Sequence, residues 1–275
     1  MELSIIALLF AAIPLYFGKF EKAVAISIDN TGNVFVIDQG KNQFTKFSSD
    51  GDSIFSVGSQ GWKDSEFDKP TDICAKNGLD IFISDYNNHR IQRYNRKMNF
   101  IGTLFTRDDE SSLARFGFPL SVMMNSKGEL LVVDGENKRV VKFSKFEKAE
   151  QSVGGFDAGK GKLKMPIQID IDSTDRVFVL ERTRIVVFDS FGNFLQIIGD
   201  GKFHNANGFC IVGDDILVAN GNAMLLFSLS GEFLGTRNNR EILFSDKDFE
   251  IIDFAVWKNR LYVLTEDRVY IVNQE

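Results

Sequence analysis

The feature that most constrains this chain is a repeat that occurs six times. A short apolar strand ending in a polar residue recurs about every 40 to 50 residues. The six strands are residues 34–38, 81–85, 130–134, 177–181, 216–220 and 261–265. Units of this length cannot bury an apolar face alone, so they pack against their neighbours. The repeat therefore indicates a stacked or ring-shaped architecture.

Two further markers keep the same phase as these strands. An aromatic residue or leucine stands three residues before a proline or the residue that replaces it. The pairs are Phe20 and Ala23, Phe67 and Pro70, Phe116 and Pro119, Leu163 and Pro166, Phe203 and Ala206, and Phe249 and Ile252. The third marker is an arginine that opens the next strand. It occurs at Arg90, Arg139, Arg184 and Arg268. Three independent markers in one phase make the repeat secure.

Each unit reads as four strands separated by turns rich in Asn, Asp, Ser and Gly. The chain contains 27 phenylalanines in 275 residues and only four prolines, and aromatic residues favour strands. Four-stranded units of about 40 to 50 residues are typical of propeller blades. We therefore predict an all-β fold, a six-bladed β-propeller of four-stranded antiparallel blades.

The two ends of the chain predict how this ring closes. The sixth unit has three predicted strands before Glu275, and a blade that lacks its outer strand exposes a sheet edge. Residues 15–18 lie just before the first unit, where an outer strand is expected. We predict that this N-terminal strand completes the last blade. Residues 1–12 are then a signal peptide or an apolar N-terminal segment, and residues 13–275 form a single propeller domain.

The N-terminal segment also bears on location. Residues 3–17 are apolar apart from Ser4 and are shorter than the roughly 20 residues of a membrane span. They fit the apolar core of a secretory signal better, although Glu2 stands where a basic residue is usual. Export to a periplasmic or extracellular location is favoured, with the cytoplasm as the alternative. No stable membrane span is expected unless this segment is retained.

One stretch of the second unit carries a family resemblance. Residues 67–70 followed by 81–94, with the triplet Asn88, His89 and Arg90, resemble an NHL repeat, and residues 134–143 are similar. The resemblance covers residues from about 20 to 275 and implies a six-bladed propeller. It does not imply one activity, because fold is not function. Some related propellers are metal-dependent lyases or lactonases, and others bind RNA.

Candidate ligand-binding residues follow the proline position, where the innermost strand begins. The polar side chains there are Thr71, Asp72, Ser121, Gln168, Asn207 and Asp253. Convergent polar groups at the centre of a propeller can bind a cation, a sugar or a peptide end. The alternative is that they line a water-filled channel. If a divalent cation such as calcium binds, Asp72 and Asp253 are the candidate ligands, because hard cations favour carboxylate oxygens.

A second set of polar residues repeats once per blade. An acid at the end of the second strand faces the arginine that opens the third. The pairs are Asp85 and Arg90, Asp134 and Arg139, and Glu181 and Arg184. Because they repeat with the blades, we interpret them as structural links across a hairpin and not as a catalytic site.

The net charge and the histidine content reduce the number of functions that the chain can have. The net charge of −6 weighs against nucleic-acid binding, which depends on Lys and Arg contacts to phosphates. The resemblance includes zinc-dependent amidating lyases with channel histidines, whereas the only histidines here, His89 and His204, lie outside the first strands. We predict a non-catalytic binding scaffold whose loop face meets a protein or carbohydrate partner. The alternatives are a lactonase-like metal-dependent hydrolase or lyase in the central channel, and RNA binding.

Overall fold

The protein forms six four-stranded antiparallel sheets, as described by a computed structural model for residues 15–243 and 248–273. Blade 1 contains β2 (Ala23–Ile28), β3 (Val34–Asp38), β4 (Gln43–Phe47) and β5 (Ser53–Val57). Blade 2 contains β6 (Pro70–Cys74), β7 (Asp80–Asp85), β8 (Arg90–Asn95) and β9 (Phe100–Phe105). Blade 3 contains β10 (Pro119–Met124), β11 (Leu130–Asp134), β12 (Arg139–Ser144) and β13 (Lys148–Val153).

The second half of the ring repeats this plan. Blade 4 contains β14 (Pro166–Ile171), β15 (Val177–Glu181), β16 (Arg184–Phe188) and β17 (Phe194–Ile198). Blade 5 contains β18 (Ala206–Val212), β19 (Asp215–Asn220), β20 (Ala223–Ser228) and β21 (Phe233–Asn238). Blade 6 contains β22 (Asp253–Trp257), β23 (Arg260–Leu264), β24 (Val269–Asn273) and, from the start of the chain, β1 (Leu15–Phe17).

The blades are arranged in a closed ring. Each innermost strand contacts the innermost strand of the next blade, and β22 of blade 6 contacts β2 of blade 1. The apolar residues of the second strands, such as Val36, Val132 and Val179, are fully buried between blades. The predicted six-bladed all-β propeller is confirmed.

The predicted closure of the ring is also observed. Strand β1 pairs antiparallel with β24, with Leu15 opposite Ile271 and Phe17 opposite Val269. The Phe17 ring is buried, and its centroid lies 5.0 Å from that of Phe47 in blade 1. The strand therefore completes blade 6 and also packs on blade 1. The predicted segment 1–12 lies outside the described residues.

In blades 2, 3 and 4 the acid–arginine pairs link the blade to the loop that enters it. Arg90 Nε donates to Asp85 Oδ2 at 2.7 Å, and both side chains are buried. The remaining Arg90 N–H groups donate to the carbonyl oxygens of Trp62, Lys63 and Glu66. The pairs in blades 3 and 4 are similar, at 3.0 and 2.5 Å. Their geometry is that of structural links, as the sequence indicated.

In the part of the chain that the structure describes, helical structure is confined to two short segments. A 3-10 turn spans Gly159–Gly161, and helix α1 (Asn239–Leu243) connects blade 5 to blade 6. Helix α1 is not apparent from the sequence, because five residues are too few for a helical period to be visible. Within the described residues, no helix is long and apolar enough to cross a bilayer.

Candidate functional site

The loops and hairpins at one end of the ring surround an axial cavity, which we call the upper chamber. The chamber has a volume of about 740 Å³. Its walls come from the loops that enter the blades and from the hairpins between second and third strands. A smaller lower chamber of about 390 Å³ lies on the axis toward the other end of the ring. Asp72 and Gln168 line both chambers, so a layer of polar side chains separates them.

A β-bulge in the innermost strand positions the side chains of this polar layer. In blade 2 the register of the innermost strand shifts between Pro70 and Asp72, and four other blades carry the same irregularity. The residue after the bulge turns toward the axis. The six residues at this position around the ring are Ala25, Asp72, Ser121, Gln168, Gly208 and Asp253. Bulges re-aim side chains in this way, and the recurring Pro position is what located these residues in the sequence.

The side chains of the layer accept hydrogen bonds from the next blade. Asp72 Oδ2 accepts the Ser121 hydroxyl at 2.5 Å and the Val122 N–H at 3.0 Å. Ser121 Oγ in turn accepts the Ile169 N–H at 3.1 Å. These N–H groups lie on the inner edge of an innermost strand, where no further strand can pair with them. An unpaired buried N–H is costly, so each bond stabilises one interface between blades.

The same arrangement continues around the ring. Gln168 Oε1 accepts the Phe209 N–H at 2.7 Å, and Asp253 Oδ2 accepts the Ile26 N–H at 3.3 Å. Where the position holds Ala25 or Gly208, other side chains replace the missing group. Ser27 accepts the Ala75 N–H between blades 1 and 2, and Asn207 Nδ2 donates to the Ile251 carbonyl between blades 5 and 6. All six interfaces are therefore linked by polar residues near the axis.

The structure brings together the candidate residues named from the sequence. Thr71, Asp72, Gln168, Asn207 and Asp253 line the upper chamber. Ser121 lies beneath them, buried against Asp72. Their proximity and their structural bonds are established by this geometry. Ligand binding by these residues is a separate prediction.

Burial changes the acidity of the two aspartates. Burial, with a smaller contribution from repulsion by Asp170, raises the pKa of Asp72 to about 6. Burial and then repulsion by Asp72 raise the pKa of Asp253 to about 8. The hydrogen bonds that each carboxylate accepts act in the opposite direction but do not offset the loss of solvation. At neutral pH Asp253 is therefore mostly protonated.

The rim of the upper chamber is mainly acidic, which the sequence analysis missed. The carboxyl side chains that line the chamber are Asp72, Asp248, Glu250, Asp253, Glu266 and Asp267, against the cationic Lys22 and Arg182. Asp248 and Asp267 form ion pairs with Arg240 and Arg268. Glu250 accepts a hydrogen bond from Asn207. The rim residues stand at the tips of hairpins and in the loop before β22, and these positions in the repeat are the signal that could have located them.

A resident metal ion does not fit these residues. Among the described residues, no three His, Cys, Asp or Glu side chains come together as a metal site. The oxygens of Asp253, and Oδ2 of Asp72, already accept N–H or O–H groups. Calcium takes about six to eight oxygen ligands, and zinc sites usually include His or Cys. His89 lies on a hairpin against Phe118, and His204 is exposed in the loop before β18.

Comparison with known proteins agrees with the repeat. The NHL repeat family matches residues 67–94. A probable peptidyl-alpha-hydroxyglycine alpha-amidating lyase of Caenorhabditis elegans is 34% identical over 185 residues, which are 64% of this chain and 50% of the lyase. NHL repeat-containing protein 3 of Homo sapiens is 29% identical over 125 residues, covering 41% of this chain and 35% of that protein. The chain therefore contains an NHL repeat, and these relatives support its assignment to the NHL-repeat family.

Other similarities are more partial or more distant. Protein brain tumor of Drosophila melanogaster is 26% identical over 147 residues, covering 53% of this chain and 14% of that protein. The chain thus spans half or less of the length of these curated relatives. A virginiamycin B lyase from Staphylococcus aureus has a TM-score of 0.69 at 11% identity, covering 95% of this chain and 99% of the lyase. That likeness shows the fold alone.

Proposed function

We propose that this NHL protein is a non-catalytic binding propeller whose upper chamber receives a cationic group of a protein or carbohydrate partner. One observation carries the proposal: a chamber of ligand size is lined by carboxyl groups, and the two deepest of them have raised pKa values. A raised pKa means that the folded protein stabilises the anion poorly. A cation beside that anion would stabilise it.

The chemistry of the walls favours an ammonium or guanidinium group. Glu250 and Glu266 are exposed at the rim, and neither forms an ion pair with the described residues. The Phe249 ring, which is partly buried, also lines the chamber and offers a face for a cation–π contact. Ligand pockets range over about 300 to 1,000 Å³, so the chamber can take a lysine or arginine side chain or an amino sugar.

The hydrogen bonds of the chamber floor support binding over catalysis. Asp72, Ser121 and Gln168 each accept a hydrogen bond from a backbone N–H group of the adjacent blade, so these side chains have a structural role. A catalytic nucleophile normally stands beside a base that is free to accept its proton. The Ser121 hydroxyl instead donates to a carboxylate that also holds a backbone N–H of blade 3.

A lyase or hydrolase is the second candidate. It is favoured by the 34% identity to the amidating lyase and by the two neighbouring carboxyl groups with different raised pKa values. In such an enzyme Asp253 would hold a proton at neutral pH and Asp72 would accept one. Assays with a peptidyl-alpha-hydroxyglycine and with simple lactones test this candidate. Turnover that is lost in Asp253→Asn would favour it over the binding proposal.

RNA binding is weakly supported. The carboxyl groups around the chamber repel phosphates, which disfavours this function.

Calorimetric titration tests the binding proposal directly. The probes are capped Gly-Lys-Gly and Gly-Arg-Gly peptides and glucosamine, with capped Gly-Glu-Gly as the acidic control. We expect a cationic probe to bind and the acidic one not to bind. Glu266→Lys at the rim should weaken binding about tenfold or more, because it places a like charge beside the ligand. Glu147→Lys, an exposed change at the opposite end of the ring, should leave the affinity unchanged. Absence of binding by all cationic probes contradicts the proposal.

A further inference from the structure

The loop that enters blade 4 displays apolar and basic side chains together. It runs from Gly154 to Met165, on the same face of the ring as the mouth of the upper chamber. Phe156 is 81% exposed, the highest value for a large apolar side chain among the described residues, and Met165 is 62% exposed. Lysines 160, 162 and 164 alternate with smaller or buried residues between them. Exposed apolar side chains of this size commonly mark an interaction surface.

Hydrogen bonds and a close backbone approach fix the conformation of this loop. Its two ends are joined by a hydrogen bond from the Leu163 N–H to the Gly154 carbonyl at 2.8 Å. Gly154 has a φ of +78°, in the left-handed region that favours glycine, and a Cβ there would lie 2.5 Å from the Leu163 side chain. The returning arm is fixed by Glu181, whose carboxylate accepts the Lys164 and Met165 N–H groups. The exposure of Phe156 and Met165 therefore results from a fixed loop conformation.

The charge of the loop lysines is not balanced by ion pairs within the described residues, because no carboxylate there pairs with any of the three. The Lys162 ammonium instead lies 4.1 Å from the centre of the Phe156 ring. Asp157 is the one acid in the segment 154–165. The segment is thus locally basic on a protein whose net charge is −6.

We propose that this loop, residues 154–165, binds the surface of a lipid bilayer that contains anionic headgroups. Phe156 and Met165 enter the interfacial region, and the three lysines contact the headgroups. The combination of exposed apolar side chains with adjacent lysines is the chemistry of interfacial binding. None of these side chains lines the upper chamber, and they project from a loop, which suits a deformable surface better than a peptide that needs a groove.

Vesicle flotation with the full chain tests this inference. We expect the protein to float with vesicles of phosphatidylcholine and phosphatidylserine and not with phosphatidylcholine alone. Each lysine near an anionic surface contributes about fivefold to the affinity. The triple variant Lys160→Gln, Lys162→Gln, Lys164→Gln should therefore lose binding. Phe156→Ser should reduce the affinity for these vesicles about tenfold, because it removes the aromatic side chain that enters the interfacial region of the bilayer.

Matched controls lie at the opposite end of the ring. Phe191 is 75% exposed in the turn between β16 and β17, and Phe191→Ser should bind as the wild type does. The triple variant Lys97→Gln, Lys127→Gln, Lys145→Gln changes the net charge equally in exposed turns of that end and should also keep binding. Circular dichroism confirms that each variant is folded. Failure of the wild type to float, or equal losses in the controls, overturns the inference. So does a loss with the loop lysines but not with Phe156→Ser, which would show attraction to polyanions in general.

Discussion

The side-chain amide of Gln168 in blade 4 donates to both carboxyl oxygens of Asp253 in blade 6, at 3.2 Å each. Its carbonyl oxygen accepts the Phe209 N–H of blade 5. One side chain therefore joins three blades. The contact is possible because the position between them in the ring is Gly208, which leaves room for the Asp253 carboxyl group. A Cβ on residue 208 would lie 2.6 Å from Asp253 Oδ1 and 2.5 Å from the Ile252 carbonyl oxygen.

Gly208→Ala is expected to destabilise the protein by about 2 kcal/mol, because the added methyl group must displace backbone and a buried carboxyl group. Urea unfolding followed by fluorescence measures the change. Gly102→Ala is the matched control, since a Cβ on residue 102 meets nothing within 4 Å. It should change the free energy of unfolding by less than about 0.5 kcal/mol. Equal effects of the two substitutions would contradict the tight contact at residue 208.

The acidity of Asp253 predicts how stability depends on pH. Its pKa is about 8 in the folded protein, against 3.8 without burial. The folded state therefore binds more protons than the unfolded state between these values. Stability from this group is fully present near pH 4 and is lost as the pH rises through about 8, with a slope of at most about 1.4 kcal/mol per pH unit. Asp72, with a pKa of about 6, acts in the same direction over a narrower range.

The substitution Asp253→Asn tests this dependence. Between pH 5 and pH 8 the melting temperature of the wild type should fall, and that of Asp253→Asn should fall less. The control Asp189→Asn lies in a half-buried surface turn, where hydrogen bonds, chiefly from Asn193, lower the pKa of the carboxyl group. It titrates below this range and should keep the wild-type slope. A wild-type stability that rises from pH 5 to pH 8, with the same slope in Asp253→Asn, would contradict the raised pKa.

The Phe17 side chain contributes to ring closure by packing at the junction of blades 6 and 1. Phe17 of β1 is buried against blade 1, whereas the adjacent Tyr16 is 61% exposed. Phe17→Ala should lower the free energy of unfolding by about 3 kcal/mol, because it leaves a cavity at the junction of blades 6 and 1. Tyr16→Ala should cost less than about 1 kcal/mol. Chemical denaturation compares the two, and a larger cost for Tyr16→Ala would show that the strand does not close the ring as described.

The fold could be predicted from the sequence because its markers report local geometry. The Pro position lies at or next to the start of each innermost strand, as at Pro70 and Pro119, and an arginine begins the third strand of blades 2, 3 and 4. Both markers report local geometry that recurs from blade to blade. Even the closure by residues 15–17 was predictable, since a missing strand in one unit required a strand from elsewhere.

The candidate site was only partly predictable. The Pro position located Asp72, Gln168 and Asp253 near the axis, but not the bonds among them. Those bonds join residues of different blades, 49 positions apart for Asp72 and Ser121 and 85 for Gln168 and Asp253. Blade order alone does not give side-chain distances. The acidic rim was missed because Glu250 and Glu266 lie in loops, where charged residues are also the default for a solvated surface.

Proton release on binding most directly tests the claim that a cation enters the upper chamber beside Asp253. Titration of a capped Gly-Lys-Gly peptide at pH 7, in buffers that differ in ionisation enthalpy, gives the number of protons exchanged. A cation next to Asp253 lowers its raised pKa, so the complex should release a fraction of a proton, up to about one, and Asp253→Asn should release much less. Binding without proton release, or with release unchanged in Asp253→Asn, would place the ligand elsewhere and contradict the account.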